Sequence, residues 1–298
     1  MINLAQLSRE LGCNVMDNEP LSQHTTFKTG GNAKLFIEVN TESALSALIK
    51  YIDDNKIKYF LLGNGSNVLA PDEGFDGVVL CLTGDFCNIQ MTDDSTVYCG
   101  AGVSLAKCCR FALDNNLSGF EFAWGIPGTL GGAVYMNAGA YISEVKNIIT
   151  SCRYMTYDGK ISEFAVSDMD LSYRHSIFHN FRAVILGAAF KLNLSNKDAI
   201  KSLMDDFMQR RRSKQPLEYP SAGSTFKRPV GYFAGAVIEK CGLKGYAVGG
   251  AEVSTKHSGF VINRADATSN DIKTLIKNVQ DIVYTQTGLK LEREVIYM

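Results

Sequence analysis

No apolar run in this chain nears the ~20 residues that a membrane-spanning helix needs. The first stretch, MINLAQLSRELGCNV, is amphipathic and lacks the apolar centre of a secretory leader. Charge excess is missing too. Thirty basic side chains meet thirty-one acidic ones, a formal net charge of −1. Bulk charge therefore points to neither a nucleic-acid partner nor an anionic membrane surface. Histidine is scarce: His24, His175, His179 and His257 are the whole set. There is no HExxH. His175 and His179 share an i,i+4 interval, but no neighbouring cysteine or carboxylate cluster completes a site, so no metal is expected. The eight cysteines form no CxxC pair and follow no metal-ligand spacing. Several lie in apolar runs such as VVLCL and VYCGAG, the setting of free, buried, reduced thiols. Without a leader, that usage fits a reducing cytoplasm. There is no GxGxxG, no Walker A loop, no strong repeat and no low-complexity tract.

What is present describes a globular protein. The 298 residues suggest about two domains at roughly 150 residues each. Apolar residues make up 46% and charged residues 20%, the profile of a soluble fold with a sizeable core. LFIEV (35–39) reads as a strand. Leu45, Leu48, Ile49 and Ile52 recur at helical spacing, which predicts a helix over 42–54. KYFLLGNGSN reads as a strand ending in a glycine loop. GVVLCL (77–82) and VYCGAG (97–102) read as strands. Leu105, Cys108, Cys109 and Ala112 mark a further helix. Residues 148–194 read mostly as strands, with a turn at Asp158-Gly159. A helix through Ile200, Leu203, Met204 and Phe207 leads to a charged, proline-bearing stretch. The domain boundary is placed near 200. A long helix through Ile272, Leu275, Ile276, Val279, Ile282 and Val283 stops at Gly288.

Five stretches carry candidate chemistry. In LLGNGSN (61–67), Gly63 and Gly65 let backbone approach a ligand, and such a turn forms an anion-binding nest; a plain strand-to-helix turn has the same composition. GIPGTLGGAVYMNAGAY (125–141) holds five glycines in an apolar run. These mark close backbone approach, to a flat ring or diphosphate or to another chain segment. LSYRHSIF sets Arg174 among aromatic and apolar residues, where it needs a partner: a structural ion pair or a substrate carboxylate held in a two-pronged grip. LEREVIYM (291–298) reads as a short strand with Glu292 and Glu294 on one face. EYPSAGSTFKRP sets Ser224 after Gly223 and close to Lys227 and Arg228, with the basic run QRRRSK just before it. A hydroxyl that must release a proton would use such cations.

The ordered set TTFKTGGNAKLFIEV, LLGNGSNVL, GIPGTLGGAVYMNAGAY, LSYRHSIF, KQPLEYPSAGSTFKRP, GYAVGGAEVSTKHSGFVIN and LEREV resembles the UDP-N-acetylenolpyruvoylglucosamine reductase family over nearly the whole chain. The unbroken KQPLEYPSAGSTF region and the length resemble its shorter, type II branch. The resemblance implies an α+β fold: an FAD-binding region of the vanillyl-alcohol-oxidase type over 1–200, two subdomains split near 70, then a C-terminal α/β substrate-binding domain over 201–298. It implies FAD held by Gly63, Asn64, Gly65, Ser66 and Asn67 at the pyrophosphate. Gly125, Ile126, Gly131, Gly132, Ala133 and Asn137 would line the rest of the cofactor. It implies catalytic roles for Arg174, for Ser224 as proton donor and for Glu294, with Lys214, Lys227 and Arg228 near the substrate diphosphate. The longer branch has asparagine where Arg228 stands. The implied reaction is NADPH-driven reduction of UDP-N-acetylglucosamine enolpyruvate to UDP-N-acetylmuramate, with hydride delivered from flavin N5. That reaction belongs to peptidoglycan precursor synthesis, and so to cell shape and division. A cytoplasmic monomer, without nucleic-acid or membrane partner, is expected. Two other readings fit the same residues: a different flavoprotein oxidoreductase of this fold, and a non-catalytic module binding flavin or a nucleotide sugar.

Overall fold

The structure is a computed structural model and describes residues 2–141 and 143–298. The chain forms two compact units. The first comprises Met1–Asp17, Leu35–Gly63 and Gly77–Arg210; the second comprises Asn18–Lys34, Asn64–Asp76 and Arg211–Met298. Among the described residues no helix is long and apolar enough to cross a membrane.

The first unit holds two sheets, each with its own core. The order in the first is Asn14–Pro20, Asn32–Val39, Phe75–Leu82, Tyr59–Leu61. Its last pair is parallel, with Tyr59 opposite Val78. Helices α1 (Ile2–Glu10) and α2 (Glu42–Asp54) accompany it. The α2 bounds are those that the sequence periodicity predicts. Leu45, Leu48, Ile49 and Ile52 are all buried, and Thr41 caps the helix by accepting the Ala44 N–H. The second sheet is wholly antiparallel, in the order Ile161–Ala165, Ile149–Thr156, Ala183–Lys191, Thr96–Gly100, Ile89–Met91. Helices α3 (Leu105–Asp114) and α4 (Leu130–Tyr135) complete this part. Cys99, Cys108, Cys109 and Cys152 lie in its core, and all eight cysteines are free. Burial pushes the Cys81 thiol up to about 11 and the Cys109 thiol upward as well, so these are packing groups.

Helix α5 (Lys197–Lys214) carries the chain from the first unit into the second, which meet in sequence at Arg210 and Arg211 rather than near 200. The basic run seen in the sequence is its last turn, where Arg211, Arg212 and Lys214 complement the helix dipole. In the second unit, strands Ala247–Val248, Ala251–Val253 and Val261–Asn263 form an antiparallel sheet. It is accompanied by α6 (Ala234–Lys240) and α7 (Ser269–Thr287). Thr268 and Asp271 make a reciprocal cap at the start of α7, and Gly288 ends it at φ 72°.

Two features depart from the sequence pattern. The segments Asn18–Lys34 and Asn64–Asp76 group with the last third of the chain. Asn263 Nδ2 donates to the Phe27 carbonyl at 3.0 Å, and the Ser269 N–H donates to Asp72 Oδ1 at 2.7 Å. Strand Val68–Leu69 pairs in parallel with Ile296–Tyr297. The second is a correction: the terminal strand is Ile296–Tyr297, and the Glu292–Glu294 stretch expected to be strand forms only an isolated bridge between Arg293 and Phe226. The Glu292 carbonyl and Glu294 N–H bond to Lys227 and Thr225 of one segment, while the flanking Leu291 and Glu294 carbonyls accept from the side chains of Gln280 and Asn67, so the pairing does not extend into a ladder.

Candidate active site

The first unit holds one group of the candidate residues. Leu62 N–H donates to the Leu80 carbonyl at 2.9 Å, and the chain then leaves the sheet at Gly63. Gly63 lies against Thr129: a Cβ there would stand 2.5 Å from Thr129 Oγ1. Thr129 is the N-cap of α4, its Oγ1 accepting the Gly132 N–H at 3.4 Å. The loop is fixed because Leu130 N–H donates to Val103 and Gly131 N–H to Ala101, each at 2.8 Å. The two glycine-rich loops therefore adjoin at Gly63 and Thr129. Gly63 and Gly132 are exposed there, Gly125, Ile126 and Gly131 are half-buried, and Ala133 is buried. Exposed main chain without a Cβ is what a pyrophosphate or a flat ring can approach closely, so these residues fit a dinucleotide.

Asn137 is wholly buried, and both ends of its side chain are used by the protein. Its Nδ2 donates to the Ser172 carbonyl and its Oδ1 accepts the Lys146 N–H, both at 2.9 Å. Of the residues matched to the cofactor, this one acts through another segment. Lys146 Nζ donates to the Leu171 carbonyl at 2.9 Å, and Ser176 Oγ donates to the Tyr135 carbonyl at 2.7 Å. These bonds pin residues 171–176 to α4 and the chain leaving it. Within the pinned loop Ser172 and His175 exchange both main-chain bonds, at 3.2 and 3.1 Å, which puts Tyr173 and Arg174 at the tip of a tight turn.

Arg174 has φ 55°, a left-handed conformation that costs a side-chain-bearing residue ~1–2 kcal/mol. Asn137, Tyr141 and Asp170, at φ 41°, 58° and 46°, share that region. Such outliers concentrate at functional sites. Arg174 Nη2 donates to the Gly139 carbonyl at 3.2 Å, and the guanidinium carbon sits 5.0 Å from the Tyr173 ring centre.

The second unit holds another group. Ser224 is exposed and follows Gly223. Thr225, wholly buried, is its anchor. The Thr225 N–H donates to Gly259 at 2.8 Å, its Oγ1 accepts the Val261 N–H at 2.9 Å, and its carbonyl accepts the Glu294 N–H at 2.9 Å. Lys227 N–H donates to the Glu292 carbonyl at 2.8 Å. Asn67 joins the same group: its Nδ2 donates to the Glu294 carbonyl at 3.2 Å, and its own carbonyl accepts the Ile296 N–H at 2.9 Å. Asn67 and Glu294 are 227 positions apart in sequence. The loop before Asn67 is held by the Gly65 carbonyl, which accepts the Thr26 N–H at 3.2 Å. Asn64 is exposed and Ser66 half-buried.

The cations differ in their surroundings. Lys227 Nζ pairs with Glu292 Oε1 at 2.5 Å. The Arg228 guanidinium carbon sits 4.6 Å from the Phe233 ring centre. Lys214 is exposed at the end of α5. Behind the Ser224 segment, His257 Nδ1 accepts the Gly259 N–H at 3.1 Å, and burial holds this imidazole below its usual pKa.

Sequence reasoning missed Thr129, Thr225, Lys146 and Ser176, the residues that hold the site rather than form its surface. Only Thr129 leaves a trace, as a capping residue just before the short helix. The partners of the others are remote in sequence.

Two family profiles match successive parts of the chain. The profile described as "FAD binding domain" matches residues 33–165, and that described as "UDP-N-acetylenolpyruvoylglucosamine reductase, C-terminal domain" matches 215–298. A UDP-N-acetylenolpyruvoylglucosamine reductase of Syntrophomonas wolfei is 45% identical over 278 residues, covering 93% of each chain. One of Streptococcus pneumoniae is 44% identical over 285 residues, covering 95% of this chain and 94% of the relative. The crystal structure of UDP-N-acetylenolpyruvylglucosamine reductase from Thermus caldophilus superposes with a TM-score of 0.81 at 31% identity, covering 96% of this chain and 98% of that one.

Proposed function

The chain belongs to the UDP-N-acetylenolpyruvoylglucosamine reductase family, and from that premise we propose how its residues share the work. It is an FAD-dependent oxidoreductase that uses NADPH to reduce the enolpyruvyl group of UDP-N-acetylglucosamine enolpyruvate. FAD, held by Gly63–Asn67 and the Gly125–Gly132 loop, would supply the two-electron hydride chemistry of the reduction.

The residues of this chain do the rest. Gly63 and the loop Gly125–Gly132 face the cofactor with main chain, and Asn64–Asn67 receive its pyrophosphate. Asn137 positions the Arg174 turn. Arg174 grips the substrate carboxylate with parallel N–H bonds and stabilises the enolate-like charge that builds there. A turn held in a strained conformation keeps the guanidinium aimed before substrate arrives. Ser224 gives a proton to the carbon beside the carboxylate. A serine is a weak acid, so the oxygen it leaves needs positive charge nearby. Lys214, Lys227 and Arg228 are the candidates to supply it, and of these Lys227 pairs with Glu292. Glu294 orients the reacting carboxylate or Arg174. We assign the flavin to the region up to about 200 and the nucleotide sugar to the last hundred residues. A cytoplasmic monomer feeding peptidoglycan precursors to wall growth and division completes the reading.

One observation carries the proposal: Asn67 and Thr225, the neighbour of Ser224, both hydrogen-bond to Glu294, which brings three of the motifs into one group. The test is an anaerobic visible spectrum of the purified protein. A flavin band that bleaches with NADPH and returns on adding UDP-N-acetylglucosamine enolpyruvate is expected. A band that stays bleached after substrate would favour a different flavoprotein of this fold. A colourless protein that takes up no added FAD would remove the flavin from the reading.

A further inference from the structure

Ten large apolar side chains are exposed among the described residues, and three of them fall within four positions. Val230 is 98% exposed, Tyr232 52% and Phe233 64%. They stand on a defined turn. The Tyr232 N–H donates to the Pro229 carbonyl at 3.1 Å, and Gly231, third residue of the turn, has φ 75°. Glycine at that place is the signature of a type II turn, which only glycine or asparagine enters readily. The turn thus holds its rings in water in an ordered way. Phe233 is also the N-cap of α6 and makes no side-chain capping bond. That position favours Ser, Thr, Asp or Asn, and a cap is worth ~1 kcal/mol. The chain forgoes both a capping bond and the burial of two rings, so the aromatic surface has another use.

Resting on the function proposed above, we propose that Tyr232 and Phe233 form the stacking surface for the uracil of the nucleoside-diphosphate substrate and so select its base. Two independent features specify that ligand class. The segment from Ser224 to Phe233 is continuous, so the rings follow the proton donor by at most nine residues. The Arg228 guanidinium carbon lies over the Phe233 ring, 4.6 Å from its centre, which sets a phosphate-binding fork against the aromatic turn. A nucleoside diphosphate carries a flat base and a dianion joined by one ribose, and it matches both. Three side chains on one turn are too few for a protein partner, whose interface needs roughly 800 Å² on each side.

The test is calorimetric titration of the flavin-loaded protein with UDP and, separately, with inorganic pyrophosphate. Tyr232→Ala and Phe233→Ala are expected to weaken UDP binding by about 10-fold each, the usual worth of a base–aromatic stack. Pyrophosphate binding should change less than twofold, and Phe233→Trp should keep UDP affinity. Both rings are exposed, so the variants fold; a Tyr232→Ser, Phe233→Ser pair, the second placing a favoured N-cap residue at the start of α6, gives the same reading should an alanine variant unfold. UDP affinity within twofold of the parent in the alanine or serine variants overturns the proposal. So does equal weakening of UDP and pyrophosphate, which would mean a loop-shaping role. A parent protein that binds no UDP would instead count against the function proposed above.

Discussion

The Glu294 N–H donates to the Thr225 carbonyl across 2.9 Å, which places the C-terminal acid directly opposite the neighbour of Ser224. Main-chain bonds of this kind do not depend on side-chain rotamers. The spacing between Ser224 and Glu294 is therefore part of the fold rather than of a flexible side chain.

Ser224→Ala should separate the two halves of turnover. Bleaching of the flavin by NADPH should persist, because no proton from Ser224 enters that step. Reoxidation by substrate should fall by about 10²–10⁴-fold, the usual contribution of a general acid. Stopped-flow absorbance at the flavin band reads both. Reoxidation at the parent rate would remove Ser224 from proton transfer.

Arg174→Lys keeps the charge and loses the fork. A point charge cannot make two parallel bonds to a carboxylate, and lysine does not stack on Tyr173 as a guanidinium does. Removing a preorganised donor at a developing anion costs about 10²–10³ in kcat. Steady-state rates with saturating substrate should show a loss of that order. Full activity would make Arg174 a structural residue.

Asn137→Ala leaves the Ser172 carbonyl and the Lys146 N–H without their partner at a fully buried position. Stranding buried polar groups costs about 1–3 kcal/mol each. The urea midpoint should fall, and kcat should fall with it as the Arg174 turn loosens. Asn137→Asp keeps an acceptor for the Lys146 N–H but sets a buried carboxylate against the Ser172 carbonyl, and should be no more stable than the alanine variant. An unchanged midpoint in the alanine variant would show that the two bonds contribute nothing.

His257 links this site to pH. Its pKa is lowered by burial, and its Nδ1 accepts from Gly259, so the fold prefers the neutral ring. Its folded value is below its unfolded one. The unfolded chain therefore binds the proton first as pH falls. The stabilising contribution is complete above about pH 6.5 and is lost as pH drops through the lower folded value. Protonation also ends the bond to Gly259, whose carbonyl holds Thr225. Unfolding midpoints measured from pH 8 to pH 5 should fall, and His257→Gln should flatten the curve. Identical slopes in parent and variant would exclude His257 as the source.

Local elements were legible from residue order alone. Helix α2 shows itself through Leu45, Leu48, Ile49 and Ile52, and α7 through Ile272 to Val283 and the Gly288 stop, because helix periodicity and caps involve residues a few positions apart. The glycine loops at Gly63 and Gly125–Gly132 were legible for the same reason. The chemistry proposed for Arg174, Ser224 and Glu294 rests on an ordered set of motifs resembling a family, since each residue alone has an ordinary structural explanation. The tertiary structure alone decided how they are held. Asn67 meets Glu294 across 227 positions, Asn137 clamps the Arg174 turn, and Thr225 ties three segments together. Those partners are chosen by main-chain groups, which every residue carries alike, so side-chain order cannot name them before the chain has folded.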